Sequence, residues 1–329
     1  MSALLKNIRA TLLGIGPEEA GFERRGFPPA RPHARNRLES IASAFIEGYR
    51  LAIQDVPLYC LAESLDGFVA ELRGFGYEGA GVALTLLDGL GFNGDRFARF
   101  VAGPAADHVY LACVGAGWAC ARLPWRRWRV EHAIRAMSPH RKWLTIDGFG
   151  FHEGYFHWRG AICDRRLPRR LGGYGLRAFD QGLGRSIWFC DAADPSRVAA
   201  TIARFPQERR SDLWSGAGSA CCYAGGCTGR EVYELFSLAG EWRAHMAQGA
   251  IFAATARSRA AKLTGHTEMA CPILTVLTAA KASQLAAEAL SQSGHAEPDM
   301  IYERWRARIR IASNRNIFFA RQRRPEQSL

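Results

Sequence analysis

A small-residue element returns throughout this chain and limits its fold more than any other feature. Its forms include Phe45-Ile46-Glu47-Gly48, Tyr77-Glu78-Gly79, Phe151-His152-Glu153-Gly154, Phe179-Asp180-Gln181-Gly182 and Ala247-Gln248-Gly249. With Ser215-Gly216 included and Gly115 filling one gap, the copies recur at steps of roughly 30–38 residues, the length of one helical hairpin repeat. Glycine inside a helix costs roughly up to 1 kcal/mol relative to alanine. It is retained where two backbones must approach closely. The repeat therefore predicts inner helices packed tightly around an axis, with Glu or Gln facing a shared interior.

A longer period overlies the short one. Phe45-x-Glu47-Gly48 matches Phe179-x-Gln181-Gly182 at an offset of 134, and Glu78-Gly79-Ala80-Gly81 matches Ser215-Gly216-Ala217-Gly218 at 137. Gly115-Ala116-Gly117-Trp118-Ala119 matches Gly249 to Ala253 at 134. The expected fold is mainly α: a duplicated helical-repeat array whose hairpins curl around a central cavity. Its expected parts are an N-terminal arm (1–36), a first helical half (37–145), a central motif and connector (146–178), a second helical half (179–312) and a basic disordered tail (313–329).

Apolar periodicity places helices from Arg37 to about Gln54, at about 57–73, from Tyr77 to about Gly89, and at 94–103, 107–122 and 125–136. Gly74-Phe75-Gly76 reads as a turn and 160–178 as irregular. Further helices are expected near 277–292 and 298–312. No uninterrupted apolar run of ~18 residues occurs, so no membrane span is expected. The nine cysteines are irregularly spaced, with no Cys-x-x-Cys pair. That fits reduced, buried thiols in a cytoplasmic protein better than a disulfide framework or a structural zinc site. The net charge of +12 comes mainly from arginine patches such as Arg126-Arg127-Trp128-Arg129. Such a balance is that of a solvated basic surface, or suits an anionic membrane surface or an acidic carrier protein as partner, and no motif supports nucleic acid.

The chemically richest stretch is Asp147-Gly-Phe-Gly-Phe-His-Glu-Gly-Tyr-Phe-His157. Its two histidines are five residues apart, about 140° round a helix, so they diverge, unlike the metalloprotease pair four apart. Glu153 and His157 are close enough to touch. They form a polar seam inside the bundle, or, with His152, an acid/base set beside Phe149, Tyr155 and other aromatics, with metal binding as a third reading. Asp180 and Arg185 read as a buried ion pair fixing their helix, with Asp180 kept as a further catalytic candidate. Glu47, Glu78, Gln181, Trp214, Gln248, His266 and Glu268 complete the candidate substrate-contacting set. His266-x-Glu268 lacks the Pro-Cys-x-x-Cys of zinc deaminases. No nucleotide, flavin, haem or metal signature appears, so neither a cofactor nor a metal is expected.

Three segments carry a family resemblance: Phe151 to His157, Phe179-Asp-Gln-Gly-Leu-Gly-Arg-Ser-Ile-Trp-Phe189, and Asp212-Leu-Trp-Ser-Gly-Ala-Gly218. The chain resembles the bacterial "domain of unknown function 1702" family over most of its length. That resemblance implies a role in making an enediyne or related polyene product. The expected function is a cofactor-independent cyclase or isomerase acting on a long unsaturated polyketide. The alternative is a non-catalytic protein that shelters a polyene or docks an acidic carrier domain or polyketide synthase.

Overall fold

Residues 13–91, 94–123, 139–168, 171–294 and 300–322 are described by a computed structural model. They are mostly helical, with no strand among them. Two helical turns, Pro17–Ala20 and Phe22–Arg25, precede the first long helix. The helices are α1 (Pro32–Ile53), α2 (Leu58–Asp66), α3 (Ala70–Leu90), α4 (Arg96–Ala102), α5 (Val109–Arg122), α6 (Pro139–Phe156) and α7 (Tyr174–Cys190). They continue as α8 (Pro195–Ala203), α9 (Gln207–Ala224), α10 (Gly229–Leu238), α11 (Arg243–Arg259), α12 (Gly265–Thr275), α13 (Ala279–Ser291) and α14 (Ile301–Gln322).

The long helices α1, α3, α5, α6, α7, α9 and α11 pack in that order, each against the next. Neighbours run parallel, because residues early in one helix meet residues early in the next. Trp143 lies edge-on to Tyr174 at 4.8 Å, Gln181 bonds Asp147, and the Cys190 thiol donates to the Gly154 carbonyl. The short helices α2, α4, α8 and α10 return the chain between successive inner helices. This is the mainly α helical-repeat array that the glycine spacing predicts.

The repeating unit is Gly-x-Gly rather than Glu-Gly. Its copies begin at Gly79, Gly115, Gly148, Gly182 and Gly216, followed by a single glycine at Gly249; successive steps are 36, 33, 34, 34 and 33 residues. In every copy the first glycine packs on the preceding inner helix and the second on the following one. A methyl group on Gly182 would overlap the carbonyl oxygen of Asp147 in α6, and one on Gly184 that of Leu213 in α9. Helix α1 keeps only the second glycine, Gly48, which meets Gly76 of α3. Axes this close leave no room for a β-carbon, which explains glycine in helix interiors despite its cost.

Several expectations of detail give way. Gly74, Phe75 and Gly76 lie inside α3, because Gly76 serves the tight crossing with Gly48 of α1 rather than a turn. The helix expected over 57–73 is two helices broken at Gly67. The first helix starts at Pro32, whose fixed φ and missing N–H suit a first helical position. Residues 313–322 belong to α14, held by the buried Ser313 and Ile317, so the tail does not begin at 313. The helix expected at 125–136, with Arg126, Arg127 and Arg129, lies outside the described residues. No single helix among those described is long and apolar enough to cross a membrane.

Candidate functional site

The repeat also builds a lumen. Residues one before, three after and seven after each first glycine share one helix face, and that face turns inward. Val114 and Trp118 of α5, Asp147, Phe151 and Tyr155 of α6, and Gln181, Arg185 and Phe189 of α7 line it, with Phe45 of α1 and Glu78 of α3. Tyr223 of α9, Phe252 of α11 and Trp305 of α14 also reach the wall. The space between atoms, open solvent at the mouth included, is about 1130 Å³, of which only about 110 Å³ admits the centre of a water molecule. Extensive walls around so little free width make a slender slot.

Most of that wall is aromatic or aliphatic. Trp118 lies 4.3 Å from Phe45 and 5.7 Å from Phe151, centroid to centroid. A second group joins Phe252, Trp305 and Tyr110, with centroids 4.4 and 6.4 Å apart. The N-terminal arm covers one side. The Leu13 carbonyl accepts from the Tyr49 hydroxyl and from Arg122, and the Glu19 carbonyl accepts from Tyr155.

A charged cluster interrupts this surface. Arg185 comes within 3.6 Å of Glu78 and within 3.3 Å of Asp147, and its guanidinium also covers the Phe151 ring at 5.0 Å. Burial pushes the Glu78 carboxyl up to about 7, with Arg185 pulling it down and the Asp147 charge pushing it up. Burial also raises Asp147, against the pull of Arg185 and Gln181. The Asp147 Oδ1 and Arg185 Nε atoms are buried and make no hydrogen bond. They face each other as an ion pair at 3.3 Å, without the alignment of a hydrogen bond.

A hydrogen-bonded chain behind the wall fixes this group. Gln181 Nε2 donates to Asp147 Oδ2 (2.7 Å) and to the Tyr302 hydroxyl (2.9 Å). The Ser215 hydroxyl lies 3.3 Å from Gln181 Oε1 and 3.1 Å from Gln248 Oε1. Arg306 donates to Gln248 (3.0 Å) and to Asp212 (2.5 Å). Although burial works to raise Asp212, the cations Arg306 and Arg177 hold its carboxyl below the usual range.

Three residues singled out in the sequence, Glu78, Gln181 and Arg185, meet in the lumen, and Tyr155 lines it too. Gln248 belongs to the supporting chain. Phe149 sits between two glycines and packs edge-on against Phe179 at 5.5 Å. Trp214 is buried outside the lumen wall. Glu47 faces solvent and pairs with Arg50, and Glu268 is exposed. His266 bonds the Cys221 carbonyl. The expected Asp180–Arg185 pair does not form. Asp180 takes a bidentate bond from Arg209 of α9 instead, at 2.9 and 2.5 Å, because it lies next to Gln181 on the helix and is buried on a face turned away from the lumen.

His152, Glu153 and His157 stand outside the lumen wall. They do not diverge. His152 Nδ1 is 3.0 Å from one Glu153 oxygen, and His157 Nδ1 is 3.3 Å from the other. Both imidazoles lean onto the Glu153 carboxylate between them, leaving the rings 5.6 Å apart, while the His157 N–H still bonds the Glu153 carbonyl as in a helix. Asp147, absent from the site residues expected on sequence alone, is the lumen carboxylate of α6. Registering the repeat on Gly148-Phe149-Gly150 would have found it.

A family model described as "Protein of unknown function (DUF1702)" matches residues 4–313. No curated protein and no solved structure matches the chain. The matched span includes every inner helix and the lumen carboxylates Glu78 and Asp147, and the chain belongs to the DUF1702 family.

Proposed function

We propose that this protein is a cofactor-independent isomerase or cyclase that draws a long, slender, unsaturated chain into its lumen, within enediyne-type polyketide biosynthesis. The observation carrying the reading is Glu78, a carboxyl group balanced near neutrality on an aromatic wall. Moving a double bond along a polyene adds a proton at one carbon and removes one from another. A carboxyl group titrating near the working pH performs both transfers with the same atoms. Arg185 supplies fixed positive charge beside it for any negative charge that develops. The Gln181–Ser215–Gln248 chain keeps Asp147 and Arg185 in place, so little reorganisation accompanies reaction. The family resemblance supplies the enediyne setting.

A second reading follows from the Glu78–Arg185 contact itself. A buried carboxylate paired with arginine is also how a structural seam looks, and the lumen then shelters a reactive polyene without catalysis. Metabolite profiling of a producer strain lacking this gene separates the two. Under the catalytic reading, wild type and the exposed-surface control Glu268→Gln restore product, whereas Glu78→Gln accumulates a discrete unsaturated intermediate. Equal restoration by Glu78→Gln leaves the sheltering role.

A further inference from the structure

The histidines beside Glu153 have no part in the lumen. We propose that His152, Glu153 and His157 form a binding site for a divalent transition-metal ion of zinc type, with one coordination position open to solvent. One ligand atom from each residue, a ring nitrogen of each imidazole and a Glu153 carboxylate oxygen, lies within 4.8 Å of the other two. Two histidines and one glutamate form a donor set that suits zinc and leaves a fourth position free.

The local fold produces this convergence. In a continuous helix the two histidines would stand about 140° apart. Here the backbone keeps helical bonds past Phe156, from His157 N–H to the Glu153 carbonyl and from Ala161 N–H to the His157 carbonyl, a π-helical turn follows at Arg159–Cys163, and the two imidazoles converge on the Glu153 carboxylate between them. Such turns recur at functional sites. The His152 ring is fixed by the Trp118 edge at 5.4 Å and by Phe156 at 4.9 Å. His157 has 62% of its side chain exposed and Glu153 26%. One ligand is therefore held rigidly, and one can move the short distance that ligation requires.

Without metal, each Glu153 oxygen faces one imidazole nitrogen. An ion at the centre would replace both hydrogen bonds and set both rings in the tautomer protonated at Nε2. The open position faces a groove lined by Arg24, Arg25 and Arg166, so the exchangeable fourth ligand is water or a small anion.

The test uses the full chain, freed of metal with a chelator and titrated with Co²⁺ while visible absorption is recorded. One equivalent should bind and give the d–d bands of a low-coordinate nitrogen and oxygen site. His157→Ala removes an exposed ring and should retain the wild-type circular dichroism. It should weaken Co²⁺ binding by more than the roughly 10–100-fold that loss of an outer-shell partner costs, and Glu153→Gln should do the same. Wild type and His157→Ala binding Co²⁺ equally well, or not at all, overturns the proposal. So does a sulfur charge-transfer band that persists in His157→Ala, because it moves the site to the cysteines.

Discussion

Glu78 of α3 and Arg185 of α7 meet at 3.6 Å although α5 and α6 separate their helices in the packed row. Their contact spans the interior, and it ties stability to pH. A carboxyl raised to about 7 in the folded protein binds its proton more tightly there than in the unfolded chain. Its stabilising effect is present below about pH 4.5 and is lost as pH rises through about 7. The span corresponds to about 3 kcal/mol. Glu78→Gln should therefore raise the melting temperature relative to wild type at pH 8 and leave it nearly equal at pH 5. Thermal melts at both pH values check this; equal effects at both contradict it.

The glycine repeat makes a sharper prediction. Gly182→Ala would set a methyl group on the Asp147 carbonyl. Overpacking of this kind costs about 1–3 kcal/mol and sometimes more, and here the opposing atom is backbone that cannot swing away. At Gly172 a methyl group would meet nothing within 4 Å, so Gly172→Ala should stay within about 0.5 kcal/mol of wild type. Urea unfolding of the two variants compares them directly.

Asp180 and Arg209 form a buried bidentate pair. Asp180→Asn leaves the guanidinium uncompensated and should cost about 3–5 kcal/mol, whereas Asp180→Leu with Arg209→Met should recover most of that loss. A double-mutant cycle by chemical denaturation gives the coupling.

The architecture was legible in the sequence because glycine at close helix crossings is irreplaceable, and such residues mark the repeat period. The register was harder. Glu47-Gly48 and Glu153-Gly154 look like Glu78-Gly79, yet Glu47 falls between the two crossing positions of α1 and Glu153 falls five residues after Gly148. Both therefore face away from the lumen, whereas Asp147, directly before Gly148, faces in. The reach of Arg185 to two carboxylates on other helices depends on how the row curls, which local spacing does not encode. The approach of His157 to His152 runs through the Glu153 side chain lying between them, a rotamer arrangement that helix spacing alone does not encode.

The slender aromatic lumen is the central claim, and a fluorescent tetraene fatty acid tests it most directly. Its emission, enhanced when it leaves water, should titrate to saturation at one probe per chain. Ala42 and Ser219 line the lumen and are partly exposed, so tryptophan at either position should narrow the slot while the chain stays folded. Ala42→Trp and Ser219→Trp should each lose at least about tenfold in probe affinity, about 1.4 kcal/mol, with unchanged circular dichroism. No saturable binding by wild type, or equal affinity in all three proteins, would contradict it.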